Sequence, residues 1–397
     1  QEADRLALVE EGKEYTYGEL VKLSQEKGDR LRQEKSEKKV IFLREKRILD
    51  QLVSFLGCQA AGKIPLLVPE DAKQLPEIGE VPENACMAVM TSGSTGVPKV
   101  LYRRYESWAD FFPVQNEIFG VSTESRMFAQ GSLAFTGNLN LYMAQFSIGA
   151  AIVAANVFDP RRWAEWIEEY KTNVVYLIPR KLLFLPQCIK KPVTTVRHIL
   201  AGSQSMGSEE AEKLRRCFPN AGIVLYYGAS ELNYITYLRH DQMTQEKNCV
   251  GNPFPGVQVS VEDGEIFVTT PYHVEGVLCP FSLKDLGHMD VAGNLYFDGR
   301  KDDIVSIRGR KVSLLKIEGA LEDISFIGAA VEKEGEKRVA AWVTLCGSEV
   351  SKECEEQIYA HLKQTLANYE LPFCCKIVEK LPHTESGKKD RKVLDKM

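Results

Sequence analysis

From Val40 to Gly228, short runs of unbroken apolar residues alternate with segments of helical spacing, and no other feature restricts the fold as much. VIFLRE (Val40–Glu45) reads as a strand, Ile48–Gly62 as a helix stopped by a glycine, and IPLLV (Ile64–Val68) as a strand again. The middle of the chain repeats the pattern. A helix is expected over Pro160–Lys171 and another over Glu209–Cys217, with strands at NVVYLIP (Asn173–Pro179), VRHILAGS (Val196–Ser203) and GIVLYYG (Gly222–Gly228). Strands that are apolar throughout must be covered on both faces, which predicts an α/β fold with parallel sheets flanked by helices. Such sheets gather ligands at the carboxyl ends of their strands. Polar, glycine-bearing loops at Gly93, Gly202 and Gly228 each follow a strand directly.

After Gly251 the texture changes. EIFVTT (Glu265–Thr270) and NLYFDG (Asn294–Gly299) are short strands separated by Asp-Gly and Gly-Asn turns, the chemistry of hairpins. A charged stretch, GRKDDIVSIRGRK (Gly299–Lys311), precedes a compact tail. That tail reads as a helix near Leu315–Leu321, a hairpin through AAVEKEGEKRVAAWVTL, a helix near Cys354–Leu366 and the loop LPHTESGKKDRKVL. A boundary is expected near Arg300, giving a large domain over 1–299 and a small one over 300–397. A chain of 397 residues, 44% of them apolar, fills two or three cores.

Composition excludes some functions. Lys and Arg number 50 against 55 acids, a net charge of −5 without a long basic run, which argues against a nucleic-acid binder. No apolar segment is long enough to span a bilayer, and QEADRLALVEEG lacks the apolar core of a signal peptide. A cytoplasmic protein is expected; the first residue not being Met suggests a start slightly inside the natural chain. The 10 cysteines form no C-x-x-C pair and several lie in apolar runs, as free thiols in a reducing compartment do.

The chemistry points first to TSGSTGVPK (Thr91–Lys99), which follows the apolar strand ACMAVM. A glycine-rich loop leaving a strand can turn its backbone N–H groups toward a phosphate, with hydroxyls and a lysine completing the cradle. Gly93, Gly96 and Lys99 are spaced three apart, which excludes the P-loop of nucleoside triphosphatases.

Five segments in order then resemble the adenylate-forming superfamily of acyl-CoA synthetases, adenylation domains and luciferases. They are YTYGEL (Tyr15–Leu20), TSGSTGVPK, YGASE (Tyr227–Glu231), KDLGHMDVAGNLYFDGRKDD (Lys284–Asp303) and TESGKKDR (Thr384–Arg391). The wording looks most like small bacterial fatty-acyl or aryl-acid ligases. The resemblance implies a large N-terminal domain with parallel sheets and a distorted β-barrel part, and a small mobile α+β lid. It implies activation of a carboxylic acid by ATP and Mg²⁺ to an acyl-adenylate, then transfer to a thiol, CoA or a carrier-protein phosphopantetheine. Thr91, Ser92, Gly93, Ser94, Thr95, Gly96 and Lys99 would hold the β- and γ-phosphates, and Glu231 would ligate Mg²⁺. Ser230 would contact the α-phosphate or the carboxylate, Asp285 the ribose hydroxyls, and Arg300 ribose and phosphate. Gly202 and Ser203 would flank adenine, with Tyr227 and Gly228 near the base. Lys388 would reach in from the small domain during adenylation, Asp302 would be the hinge, and Gly309 would let the pantetheine arm pass.

The acyl pocket is expected from GSLAFTGNLNLYMAQF (Gly131–Phe146), the LAGSQ loop and the YYGASELNY strand. Phe135 stands at the family's gate position, with Asn138 and Leu139 as candidate lining; Leu139 and Tyr142 read equally as helix core. No basic residue is placed for a second carboxylate and no Asp for an α-amine, which favours a monocarboxylic fatty or aromatic acid. There are departures from the family pattern. Lys284 replaces the usual glycine before the ribose-binding acid, Ser306 replaces a common lysine, and VLYRRY follows the phosphate loop. That loop also comes early, implying an abbreviated first subdomain. A degenerate adenylate-binding protein and an amino-acid-specific ligase are the alternatives.

Overall fold

A computed structural model describes residues 3–34, 37–70, 72, 75–92, 98–307, 310–322, 324, 327–334, 338–345, 352–382 and 391–394. The chain divides into two compact units. The first comprises Gln1–Glu262, Phe267–Ser282 and His288–Tyr296; the second comprises Asp263–Ile266, Leu283–Gly287 and Phe297–Met397.

The first unit is α/β, as the alternating pattern predicts. Its strands are β1 (Leu6–Glu10), β2 (Lys13–Thr16), β3 (Val40–Leu43), β4 (Ile64–Leu67), β5 (Ala85–Ser92), β6 (Pro98–Arg104) and β7 (Arg126–Gln130), followed by β8 (Ala151–Ala155), β9 (Val174–Tyr176), β10 (His198–Gly202), β11 (Gly222–Ala229), β12 (Asn233–Arg239) and β13 (Cys249–Pro253). One sheet has the order β3-β4-β5-β6, parallel except for the antiparallel β5–β6 hairpin. In the larger sheet the order β13-β12-β11-β10-β9-β7-β8-β1-β2 is parallel from β11 to β1. It is antiparallel at the β1–β2, β11–β12 and β12–β13 pairs.

Strand residues of alternating parity divide between the two faces of this sheet. Phe128, Val153, Val175, Ile199 and Ile223 pack with Trp163, Ile167 and Leu214 from the helices Pro160–Glu169 and Ser208–Cys217. Local signals set the helix ends. The Asp159 carboxylate accepts from the backbone N–H groups of Arg161 and Arg162, with Pro160 in the first turn. The YTYGEL motif is a capping box: Thr16 Oγ1 accepts from Glu19 N (3.2 Å) and Glu19 Oε2 accepts from Thr16 N (2.8 Å). Gly62, at φ +68°, ends the helix Ile48–Ala60 in the left-handed conformation expected there.

In the second unit, Ile304–Ile307 and Arg310–Ser313 form a hairpin, followed by the helix Leu314–Glu322. The strands Ile327–Glu334 and Arg338–Leu345 pair antiparallel, and Cys374–Ile377 adds in parallel. Ile317, Leu321, Val331, Val343 and Leu362 fill the core between this sheet and its helices. Among the described residues no helix is long and apolar enough to cross a membrane. Burial pushes the Cys58 and Cys86 thiols up to about 12, so both stay protonated and behave as packing groups.

Candidate active site

Two hairpins of the first unit carry several of the expected site residues. In the β5–β6 hairpin, Thr91 is the direct register partner of Lys99, and Ser92 of Pro98. Gly93, Ser94, Thr95 and Gly96 lie outside the described residues, as does the side chain of Ser92. Lys99 is exposed and lines a cleft of about 910 Å³ with Leu75, Glu80, Tyr102 and Glu275.

The β11–β12 hairpin turns through Ser230, Glu231 and Leu232, placing Glu231 at the end of the sheet, partly exposed. Gly228 is required where the strands close up, because a Cβ there would stand 2.4 Å from the backbone oxygen of Asn233. Asn233 holds φ +65°, and its Oδ1 accepts from Asn140 Nδ2 at 3.1 Å. Ser230 Oγ lies 3.1 Å from Thr136 Oγ1, at the first residue of the helix Thr136–Ser147. Val274 N donates to the carbonyl of Glu231 at 2.9 Å.

Beneath this turn lies a residue that the sequence reading did not single out. Arg103, at the end of β6, is fully buried. Its guanidinium donates to the carbonyls of Ser230 (2.8 Å), Tyr272 (2.7 Å) and Ser107 (3.2 Å). One cation therefore ties β6 to the Ser230–Glu231 turn and to the Tyr272 segment. Burial lowers its pKa to about 10, against the opposing pull of the Glu231 charge, so it stays charged at neutral pH.

Gly202 ends β10, and Ser203 follows at φ +68°, exposed. Tyr227 is half-buried next to the buried Tyr226. Phe135 is 44% exposed at the start of the helix Thr136–Ser147. Asn138 and Leu139 turn inward: the Asn138 amide donates to the carbonyl of Ser132 at 3.0 Å, and Leu139 is buried.

In the second unit Asp285 is buried with its carboxylate 3.3 Å from Arg300 Nε. Lys284 before it holds φ +62°, the left-handed backbone for which glycine is best suited. Asp302 lies in the turn Lys301–Asp303, its side chain outside the description, and Ser306 is paired across its hairpin with Lys311. Gly309 and Lys388 lie outside the described residues. No cluster of three or more metal-ligating side chains occurs among the described residues. Glu231 beside the Ser230 hydroxyl offers one hard carboxylate, which suits Mg²⁺ held mainly by substrate phosphates.

The AMP-binding enzyme family matches residues 68–280, and the AMP-binding enzyme C-terminal domain matches residues 318–388. The uncharacterized acyl-CoA ligase YhfT of Bacillus subtilis is 27% identical over 340 residues, spanning 80% of this chain and 69% of its own. Acetyl-coenzyme A synthetase of the same organism is 25% identical over 344 residues, 77% of this chain and 60% of its own. O-succinylbenzoate coenzyme A synthetase (MenE) from Bacillus subtilis, solved with ATP and magnesium ion, shares the fold at a TM-score of 0.83 and 18% identity, covering 99% of this chain and 97% of that one. With the family match spanning more than half its length, the chain belongs to the AMP-binding, adenylate-forming enzymes.

Proposed function

We propose that the protein is an ATP-dependent acid–thiol ligase. A carboxylate oxygen of the acid attacks the α-phosphorus of ATP, the bond to pyrophosphate breaks, and an acyl-adenylate forms. A thiol, from CoA or a carrier-protein phosphopantetheine, then attacks the acyl carbon and AMP leaves. The observation that carries the reading is the Ser230–Glu231 turn, held from the helix side by Thr136 and from below by the Arg103 guanidinium.

Both reactants are anions, so the site needs fixed cations and dipoles where charge develops. We assign Lys99 and the Thr91–Gly96 loop to the β- and γ-phosphates, and Ser230 to the α-phosphate or the acyl carboxylate. Magnesium, when bound at Glu231, would neutralise phosphate oxygens. Gly202, Ser203, Tyr227 and Gly228 are assigned to the base, Asp285 and Arg300 to the ribose. Phe135, Asn138 and Leu139 are assigned to the acid's pocket. The large domain (1–299) would bind both substrates. The small domain (300–397) would present Lys388 for adenylation and then, turning about Asp302, Gly309 for the thiol. Lys284 supports a second reading: its place where the family has glycine fits a protein that binds an adenylate without making one.

Acid-dependent exchange of pyrophosphate into ATP, across fatty, hydroxybenzoic and amino acids, tests both. Exchange with a fatty or aromatic acid is expected. ATP binding without exchange by any acid would favour the second reading, and exchange only with amino acids would replace the substrate class.

A further inference from the structure

One face of the helix Thr136–Ser147 grips both ends of the turn that carries Glu231. That turn is short: Ala229 and Asn233 are register partners, and Leu232 N donates to the carbonyl of Ala229 at 3.1 Å. Ser230, Glu231 and Leu232 therefore span the hairpin, and Asn233 closes it in the left-handed conformation, at φ +65°. Thr136 Oγ1 holds the near end, 3.1 Å from Ser230 Oγ. Asn140 holds the far end, its Nδ2 donating to Asn233 Oδ1 at 3.1 Å. Thr136 and Asn140 stand at i and i+4 of the helix, so they lie one above the other on its surface.

Both ends of the Asn140 amide are bonded. Its Oδ1 accepts from Trp108 Nε1 at 2.8 Å. An indole N–H only donates, so this contact fixes which way the amide faces and turns Nδ2 toward Asn233. Asn233 must then present its oxygen. Trp108, Asn140 and Asn233 are all buried, so a lost bond in this chain is not made good by bulk water. The indole is itself held edge-on by Phe55 and Phe112, with ring centroids 5.9 and 5.3 Å away. A fixed ring thus sets the direction of a chain of two hydrogen bonds that ends on the closing residue of the Glu231 turn. Asparagine tolerates the left-handed backbone, and the bond to Asn140 selects one orientation of its side chain.

We propose that Asn140 is a positioning residue for Glu231: acting through Asn233, it sets the direction of the Glu231 carboxylate, and ATP with Mg²⁺ binds less well without it. This rests on the reading above that gives Glu231 to Mg²⁺. The Glu231 side chain is partly exposed at the end of the sheet, so its direction follows from the backbone of the turn rather than from core packing. The Arg103 guanidinium holds the same turn at the Ser230 carbonyl; Asn140 holds it at the opposite end.

Calorimetric titration of the full chain with ATP, at a series of Mg²⁺ concentrations, tests this. Asn140→Leu nearly keeps the volume and removes both bonds. Asn233→Gly accepts positive φ and removes only the acceptor. Each should raise the Mg²⁺ needed for half-maximal ATP binding about five-fold. The double variant should need no more than the stronger single one, because both cut the same link. An unchanged Mg²⁺ requirement in folded Asn233→Gly would overturn the proposal even if its melting temperature fell, since a purely structural bond moves only the latter. Additive effects in the double variant would overturn it too. If Asn140→Leu does not fold, Asn233→Gly decides alone. Glu231→Gln is the reference. If it leaves the Mg²⁺ requirement unchanged, the magnesium reading fails and the positioning role with it. A response to Glu231→Gln but not to Asn233→Gly removes the positioning role only.

Discussion

The Arg103 guanidinium lies 2.8 Å from the carbonyl oxygen of Ser230, and no part of the arginine reaches solvent. A buried cation that donates to three carbonyls stabilises a backbone arrangement more than it binds a partner. Arg103→Lys keeps the charge but cannot span three acceptors, so unfolding free energy should fall by about 2–3 kcal/mol. With the Ser230–Glu231 turn loosened, half-maximal ATP binding should also need several-fold more Mg²⁺. Urea denaturation measures the first effect and calorimetric ATP titration at varied Mg²⁺ the second. An unchanged Mg²⁺ requirement would restrict Arg103 to packing.

Glu231 sits in a turn and is partly exposed, so Glu231→Gln opens no core cavity. Mg²⁺-dependent pyrophosphate exchange should fall about 100-fold or more, while the melting temperature without ligand stays within about 2 °C of wild type. A large fall in melting temperature would make the residue structural.

For Lys388→Ala, adenylation should fall about 10²–10³-fold. ATP binding and thioester formation from preformed acyl-adenylate should persist, because the lysine is assigned only to the first transition state. Measuring the two half-reactions separately decides it; equal loss of both would rule out alternating use of the small domain.

The left-handed backbone at Lys284 predicts an asymmetry between substitutions. Lys284→Gly relieves the strain and should leave thermal stability equal or slightly higher. Lys284→Val should lower it by about 2 kcal/mol, since a β-branched residue is poorly tolerated at positive φ. Equal effects in thermal denaturation would count against a backbone cause.

Acid should weaken the first unit through two histidines. His198 is held below the usual imidazole range by burial and then by Arg239 and Arg197. His240 is held down by burial and then by Arg215. The folded state therefore resists a proton that the unfolded chain accepts from about pH 6.5 downward, and stability is lost as pH falls through that window. The His198 ring packs against Gly120, where a Cβ would stand 2.4 Å from Cε1, so the ring has little room to move away. Urea midpoints from pH 8 to 5 should fall on the acid side for wild type, and less steeply for His198→Gln.

The parallel layers were readable because strands buried on both faces must be apolar along their length, as in GIVLYYG and NVVYLIP. TSGSTGVPK and YGASE stood out because glycines and hydroxyls cluster there without a core to fill. Two residues that the reading did not single out, Arg103 and Tyr226, each stand beside an identical neighbour. In a strand, adjacent residues point to opposite faces, so Arg103 goes under the turn while Arg104 pairs with Glu275. Likewise Tyr226 lies across Gly202 while Tyr227 is only half-buried. Composition cannot distinguish the members of such a pair; only the sheet's register does.

That register has a further consequence at the first hairpin. Thr91 faces Lys99 across the β5–β6 ladder, so the strands themselves hold the two opposite one another. A slip of one residue in this ladder would slide Lys99 past its partner and turn its side chain to the opposite face of the sheet, or force a bulge to absorb the difference. A substitution at Lys99 changes the chemistry it offers; a slip of the ladder changes which way the lysine points.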